Sequence, residues 1–429
     1  MGYQHDEAAE RTPGRLVVRT VPIADPGDLI SRLPEPGALA WVRRGEGLVG
    51  FGTAAKITLP AGHDRFVTGE KWLRELFDSA DVADDVGAAG TGPVAFGSFT
   101  FDPTSDGSVL VIPRVVLGRA DGAGWLTTIG TTEQPAPAAR FLADLPAPSP
   151  PVMPTGVRWA DGSLTTPQWE RAVATAVAAI GSGSLGKVVL AMELNATAAA
   201  DIDARVLLSR LASRYPDCYS FACEGLVGAT PELLIRRAGN QLHSLVLAGT
   251  MPRGGTPQAD RALGAALLAS SKDRDEHQFA VADVRAALQP LCADLRVEEQ
   301  PSLLRLANVQ HLATRVDGTL AAAEAASHSA LGLAAALHPT AAICGTPAET
   351  AMELIRELEG IDRGRYSGPV GWVDGSGNGE WGIALRCGLL AGRNARLFAG
   401  CGIVAGSDPP TEVAEAQAKF WPMRYAIEG

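Results

Sequence analysis

The 429-residue sequence predicts an α+β protein. Three observations carry that expectation. Short apolar runs broken by Gly, Pro and Asp crowd residues 16–130, capped amphipathic helices follow, and beyond residue 165 helices and strands mix without the regular alternation of a doubly wound sheet. With 46% hydrophobic and 20% charged residues the chain can bury a large core, and its length alone allows two or three domains.

In chain order, residues 1–13 are polar and aperiodic and read as a disordered tail. Order begins at the strand-like Leu16-Val17-Val18, and the runs 38–42, 48–51, 94–101 and 109–116 predict an antiparallel sheet. The Pro- and Ala-rich stretch 134–154 reads as an exposed linker carrying one short helix. Thr166-Pro167 reads as an N-cap with proline in the first turn. Trp169, Val173, Val177 and Ile180 then recur at helical spacing until Gly181-Ser-Gly183 stops the helix. A strand, Lys187-Val-Val-Leu-Ala191, follows directly. Next come a helix near 202–215, strands at 219–223 and 226–228, a turn into Thr230-Pro-Glu-Leu-Leu234, and two helices within 259–291 parted by Ser270-Ser271. Strands near 311–316, 370–373, 381–390 and 396–403 precede a last helix opened by Asp408-Pro409.

The composition excludes several classes of function. A formal net charge of -11 argues against a nucleic-acid backbone or an anionic membrane surface as partner. No apolar run approaches the roughly 20 residues of a membrane-spanning helix. The six cysteines lack the spacing of a zinc site or a C-x-x-C pair, no signal peptide precedes them, and a cytoplasmic location is expected. Of the 37 basic residues only Lys56, Lys71, Lys187, Lys272 and Lys419 are lysine. Arginine stays protonated, whereas burial can push a lysine toward neutrality, so each lysine is a candidate proton acceptor.

Lys187 heads an apolar strand, where its ammonium would be partly desolvated; a snorkelling strand-end lysine reads the same way. Glu232 is bracketed by Pro231 and two leucines, a setting that raises a carboxyl pKa, although Pro-Glu also opens ordinary helices and strands. Ser271-Lys-Asp-Arg-Asp-Glu-His277 is a charged patch on a helix with an apolar opposite face, which by default is a solvated surface. Glu412, Glu415 and Lys419 share one face of the last helix. Two carboxylates so placed can hold a hard cation, and Glu415-Lys419 can equally be a surface pair. The cluster 375–379 reads as a hairpin turn, and Gly400-Cys-Gly402 as a place where a ligand can approach the backbone.

Taken together these segments resemble the chorismate-utilising enzymes. The resemblance covers about residues 165–425. It rests on Lys187-Val-Val-Leu-Ala, Ala229-Thr-Pro-Glu-Leu-Leu, Leu247-Ala-Gly-Thr250, Ser271-Lys-Asp-Arg-Asp-Glu-His277, His311-Leu-Ala-Thr314, His338-Pro-Thr340, Tyr366-Ser-Gly-Pro-Val-Gly-Trp372, Gly377-Asn-Gly-Glu-Trp381, Leu385-Arg386 and Gly400-Cys-Gly-Ile-Val404. It implies one catalytic domain over 14–429, built of two large antiparallel sheets packed together with helices outside, so that 134–154 becomes an internal loop. It further implies Mg²⁺ ligation by Glu276 and Glu415 with Glu412 close by, and a pocket for the two carboxylates of chorismate formed by Gly249, Thr250, His311, Ala342, Tyr366, Arg386, Gly400, Gly402 and Lys419.

Members of this family differ in nucleophile. A lysine at position 187 resembles the water-using members, where the ammonia-using anthranilate synthases carry glutamine. Ala248 stands where aminodeoxychorismate synthases place a lysine, and Thr340-Ala-Ala-Ile-Cys-Gly345 is closer to the isochorismate synthase pattern than to that of salicylate synthases. The last helix departs from the commonest pattern at Val413 and Ala416. The expectation is therefore isochorismate synthesis, with Lys187 as general base toward water and Glu232 as general acid toward the C4 hydroxyl, on opposite sides of the ring. The alternatives are salicylate synthesis, and a non-catalytic protein that binds such dianions. The product would feed siderophore, menaquinone or another synthesis. A monomer without a glutaminase subunit is expected.

Overall fold

A computed structural model describes residues 14–137 and 139–429, so the tail expected at 1–13 lies outside the described residues. Among the described residues, strands assemble into one sheet of thirteen and one of ten. All strand pairs in them are antiparallel except Leu16–Ile23 with Asp81–Asp84, a correction to the purely antiparallel expectation. Asp81–Asp84 arrives at the sheet edge after the long excursion that includes the helix Arg65–Asp78, and long connections are what parallel pairing requires.

Leu39, Trp41 and Phe221 of the larger sheet interdigitate with Val94, Phe96 and Trp372 of the smaller one, forming an apolar layer between the two. Helices Thr166–Gly181, Ala204–Arg214 and Pro409–Glu428 pack against the larger sheet. Pro257–Ala269, Ser271–Leu288 and Ala330–Leu337 pack against the smaller. The N-terminal third is woven into both sheets: Leu39–Arg43 pairs with Tyr219–Cys223, and Val94–Ser98 with Pro369–Asp374. The stretch 134–154 carries the short helix Leu142–Asp144.

Local chemistry sets the helix starts that matter for the site. Thr165, one residue before the expected cap, opens Thr166–Gly181, and its N–H donates to the Gln168 side chain at 2.8 Å. Trp169, Val173, Ala176 and Ile180 make the buried face of this helix. Ser270 caps Ser271–Leu288 by accepting from Asp273 N–H, and Asp408 caps Pro409–Glu428 by accepting from Thr411 N–H.

Two single-strand expectations are corrected, for one reason. The run 381–390 is two strands, Gly379–Ile383 in the smaller sheet and Cys387–Ala391 in the larger. The run 109–116 likewise splits around Pro113 into Ser108–Ile112 and Val115–Ala120, which lie in different sheets. Where the chain passes between the two sheets it stays largely buried, so the apolar pattern does not register the crossing.

Trp381 is fully buried and meets Phe99 edge-on at 5.8 Å between ring centroids. Trp381→Ala should lower the unfolding free energy by about 3–5 kcal/mol in chemical denaturation.

Candidate active site

Two neighbouring crossings between the sheets create the cleft. Pro231 and Glu232 link Leu226–Thr230 of the larger sheet to Leu233–Ala238 of the smaller, and Ala384–Arg386 make a return passage. They are tied together by Ile383 N–H to Glu232 carbonyl and Ala229 N–H to Arg386 carbonyl, at 3.3 and 3.2 Å. Arg386 takes a positive φ of 47°, a conformation disfavoured for a side-chain-bearing residue and typical of functional sites. Both the acid and the arginine are thus held at the seam between layers.

The remaining walls come from further strands, helices and loops. Gly249, with φ 73°, bulges the strand Gln241–Pro252 where Thr250 meets His311 on Val309–Leu320. Tyr366 stacks on Phe398 at 5.0 Å, with the loop residue Ala342 nearby in the lining. Gly400 and Gly402 lie on Asn394–Ile403, Lys419 on the last helix and Glu276 on Ser271–Leu288. Every residue expected to contact substrate therefore lines one cleft, together with Glu232 and Glu276. Val189, Pro231, Leu247, Ala248, Ile343, Ser367, Leu385 and Phe398 also line it. Apart from Pro231 and Ala248, their apolar or small side chains carried no chemical signal in the sequence.

Lys187, Glu412 and Glu415 stand behind that lining. Lys187 is fully buried, not partly desolvated as its strand position suggested, and its Nζ lies 3.2 Å from a Glu276 carboxylate oxygen. The contact is an ion pair without a well-aligned hydrogen bond. Gly402 makes room for it: a Cβ at this position would sit 2.0 Å from the Glu276 oxygen and 2.9 Å from Lys187 Cε. Glu412 is buried and pairs at 2.6 Å with Lys272, a partner that sequence reasoning placed only in a charged patch. Lys419 pairs with Glu415 at 2.6 Å and donates to the Gly400 carbonyl at 2.8 Å. Three carboxylates are thus matched by three lysines inside a net acidic protein.

The electrostatics separate the acids. Burial pushes the Glu232 carboxyl up to about 8, against the opposing influence of Lys187, the Leu247 amide, Arg386 and Lys419. Glu412 is also raised, by burial and then by the Glu415 charge. Burial acts to raise Glu415 too, but Lys419, Lys272 and Arg386 together hold it below the usual range. Burial and the neighbouring Arg386 charge keep His311 neutral. Its Nδ1 lies 3.3 Å from the Gly249 carbonyl and its Nε2 3.5 Å from Arg386, so it donates on one side and accepts on the other.

The donor chemistry suits a hard divalent cation. Glu412 and Glu415 oxygens lie within 4.8 Å of each other and of the Cys401 sulfur, with the Glu276 charge in the same surroundings; the carboxylate oxygens, not the thiol, are the donors such a cation takes.

Fold and site together describe an enzyme for small anionic molecules, with a buried acid and a wall bearing Arg386 and Lys419 in one cleft and a buried lysine behind it. The chain belongs to the family described as chorismate binding enzyme, which matches residues 16–428. It is 42% identical over 270 residues to the isochorismate synthase DhbC of Bacillus subtilis, covering 60% of this chain and 67% of that protein. It is 38% identical over 333 residues to the isochorismate synthase EntC of Escherichia coli K12, covering 76% and 79%. The solved structure of MenF, the menaquinone-specific isochorismate synthase of E. coli, superposes with a TM-score of 0.79 at 26% identity, over 97% of this chain and 95% of that one.

A carboxyl that keeps its proton to about pH 8 when folded, but loses it near pH 4.3 when unfolded, makes folding take up a proton between those values. Stability contributed at this site therefore falls as pH rises from 5 to 8. Glu232→Gln should gain thermal stability relative to the parent protein over that interval, in paired melts across pH.

Proposed function

We propose that this protein is an isochorismate synthase, which adds water at C2 of chorismate and expels the C4 hydroxyl. The carrying observation is a Glu232 whose proton is retained to about pH 8, on the wall of a cleft that Arg386, Lys419 and His311 also line, with a fully buried Lys187 standing behind that lining. Binding alone needs neither a buried base nor a retained proton. The identity to DhbC and EntC supports the same reading.

In this mechanism Lys187 takes a proton from the water that attacks C2. The ring double bonds shift, and Glu232 gives its proton to the oxygen leaving C4. Arg386 and Lys419 offset the charge of the substrate carboxylates, and neutral His311 fixes the Arg386 fork beside the bulge at Gly249. Glu276, Glu412 and Glu415 would hold Mg²⁺. When bound, that ion would neutralise the acids and anchor a substrate carboxylate electrostatically. Water as nucleophile leaves no task for a glutaminase subunit.

Purified protein incubated with chorismate and Mg²⁺ should yield isochorismate on chromatography. Anthranilate formed with added ammonia, or prompt salicylate and pyruvate, would contradict the assignment. Lys187→Ala should lose turnover while its circular dichroism stays unchanged.

Gly402→Ala tests the metal side, because the added methyl must displace the Glu276 carboxylate, a flexible end, and not backbone. Calorimetry should show Mg²⁺ affinity reduced by about tenfold or more, in a protein with a near-native melt.

A further inference from the structure

The strand that carries Lys187 is paired unequally on its two sides. Toward Asn394–Ile403 its register runs without interruption from Val188 to Thr197. On the other side it has strand partners only at its ends: Gly345–Thr346 opposite Lys187 and Val188, and Arg158–Asp161 opposite Leu194 to Thr197. The backbone groups of Val189 and Ala191 face the gap between, in a fully buried stretch where unmet donors and acceptors would be destabilising.

Val189 N–H donates to the Cys344 carbonyl at 2.8 Å and Trp169 Nε1 to the Ala191 carbonyl at 2.9 Å, and two side chains meet the rest of the gap. Glu359 Oε1 accepts from Ala191 N–H at 2.7 Å, and Arg363 Nη2 donates to the Val189 carbonyl at 2.7 Å. Arg363 Nη1 donates to the Ile343 carbonyl at 3.0 Å, and its Nε donates to Glu359 Oε2 at 2.9 Å. Both side chains are almost wholly buried, and the guanidinium lies over Phe101 at 4.2 Å. Charge attraction alone does not account for burying such a pair, because desolvation offsets much of it. Four of its polar contacts are instead spent on backbone or on holding its own geometry. The backbone it holds belongs to two walls of the cleft, since Val189 and Ile343 both line it.

We propose that Glu359 and Arg363 are positioning residues that stand in for a missing strand. They fix the spacing between the Lys187 strand and the loop carrying Ala342 and Ile343, and so keep the base in register with bound substrate. Neither touches the reacting atoms. Their effect on turnover runs through the geometry of the two walls.

The test uses Arg363→Lys, which keeps the charge but cannot span the Val189 and Ile343 carbonyls with a planar fork, and Glu359→Gln, which keeps an acceptor for Ala191. For Arg363→Lys, kcat should fall by about tenfold or more with KM within about threefold. Amide exchange should quicken in peptides covering 187–193 and 340–346, and Glu359→Gln should show a smaller loss. A folded Arg363→Lys with parental kcat and parental exchange would overturn the proposal. If Arg363→Lys does not fold, Glu359→Gln decides: parental kcat with parental exchange overturns it, and slower turnover with faster exchange upholds it. The kinetic arm rests on the isochorismate synthase reading, whereas amide exchange does not depend on what the product is. Failure of the parent protein to make isochorismate would strike that reading and leave the clamp testable by exchange.

Discussion

A lysine with no solvent exposure, 3.2 Å from a carboxylate, is the constraint to which the rest of the site answers. Burying an ammonium is expensive, and it persists only where an opposite charge is close. Glu276 supplies that charge from the helix Ser271–Leu288. It reaches Lys187 only because position 402 carries no side chain. The same pattern is repeated at Lys272 with Glu412 and at Lys419 with Glu415. The result is a zone of matched charge at and behind the cleft, in which removal of Glu276 leaves the fully buried Lys187 unpaired.

Against that zone, Glu232 is the exception. It lies on a crossing between sheets, has no salt-bridge partner among the described residues, and is held toward its neutral form by burial. A carboxyl kept protonated by burial can serve as an acid near neutral pH. Its setting traces to topology. The lysine sits in a strand beside the Glu276 carboxylate, and the glutamate sits where the chain leaves one sheet for the other.

Much of this was legible in the sequence, and what was not has a physical reason. Capping residues and helical spacing announced the helices at 166–181, 271–288 and 409–428, which carry or support Glu276, Glu415 and Lys419. Local rules act over three or four residues, and these features are local. The pairing of Lys187–Thr197 with a strand some two hundred residues later, the match of Lys272 to Glu412 and the bonds of Glu359 and Arg363 to Ala191 and Val189 are set by tertiary packing. No spacing rule reaches them. Likewise Arg386 was read inside a continuous strand, because a buried crossing keeps the apolar pattern of the strands it joins. Resemblance to the family, not periodicity, brought Arg386 and Tyr366 to the site.

The central claim is that water, activated by Lys187, is the nucleophile at C2. Turnover of chorismate in ¹⁸O-labelled water, with the product examined by mass spectrometry before appreciable reversal, addresses it most directly. Isochorismate should carry one ¹⁸O at C2, and Lys187→Ala should form none. Unlabelled isochorismate, or labelled product from Lys187→Ala at a rate near that of the parent protein, would contradict it.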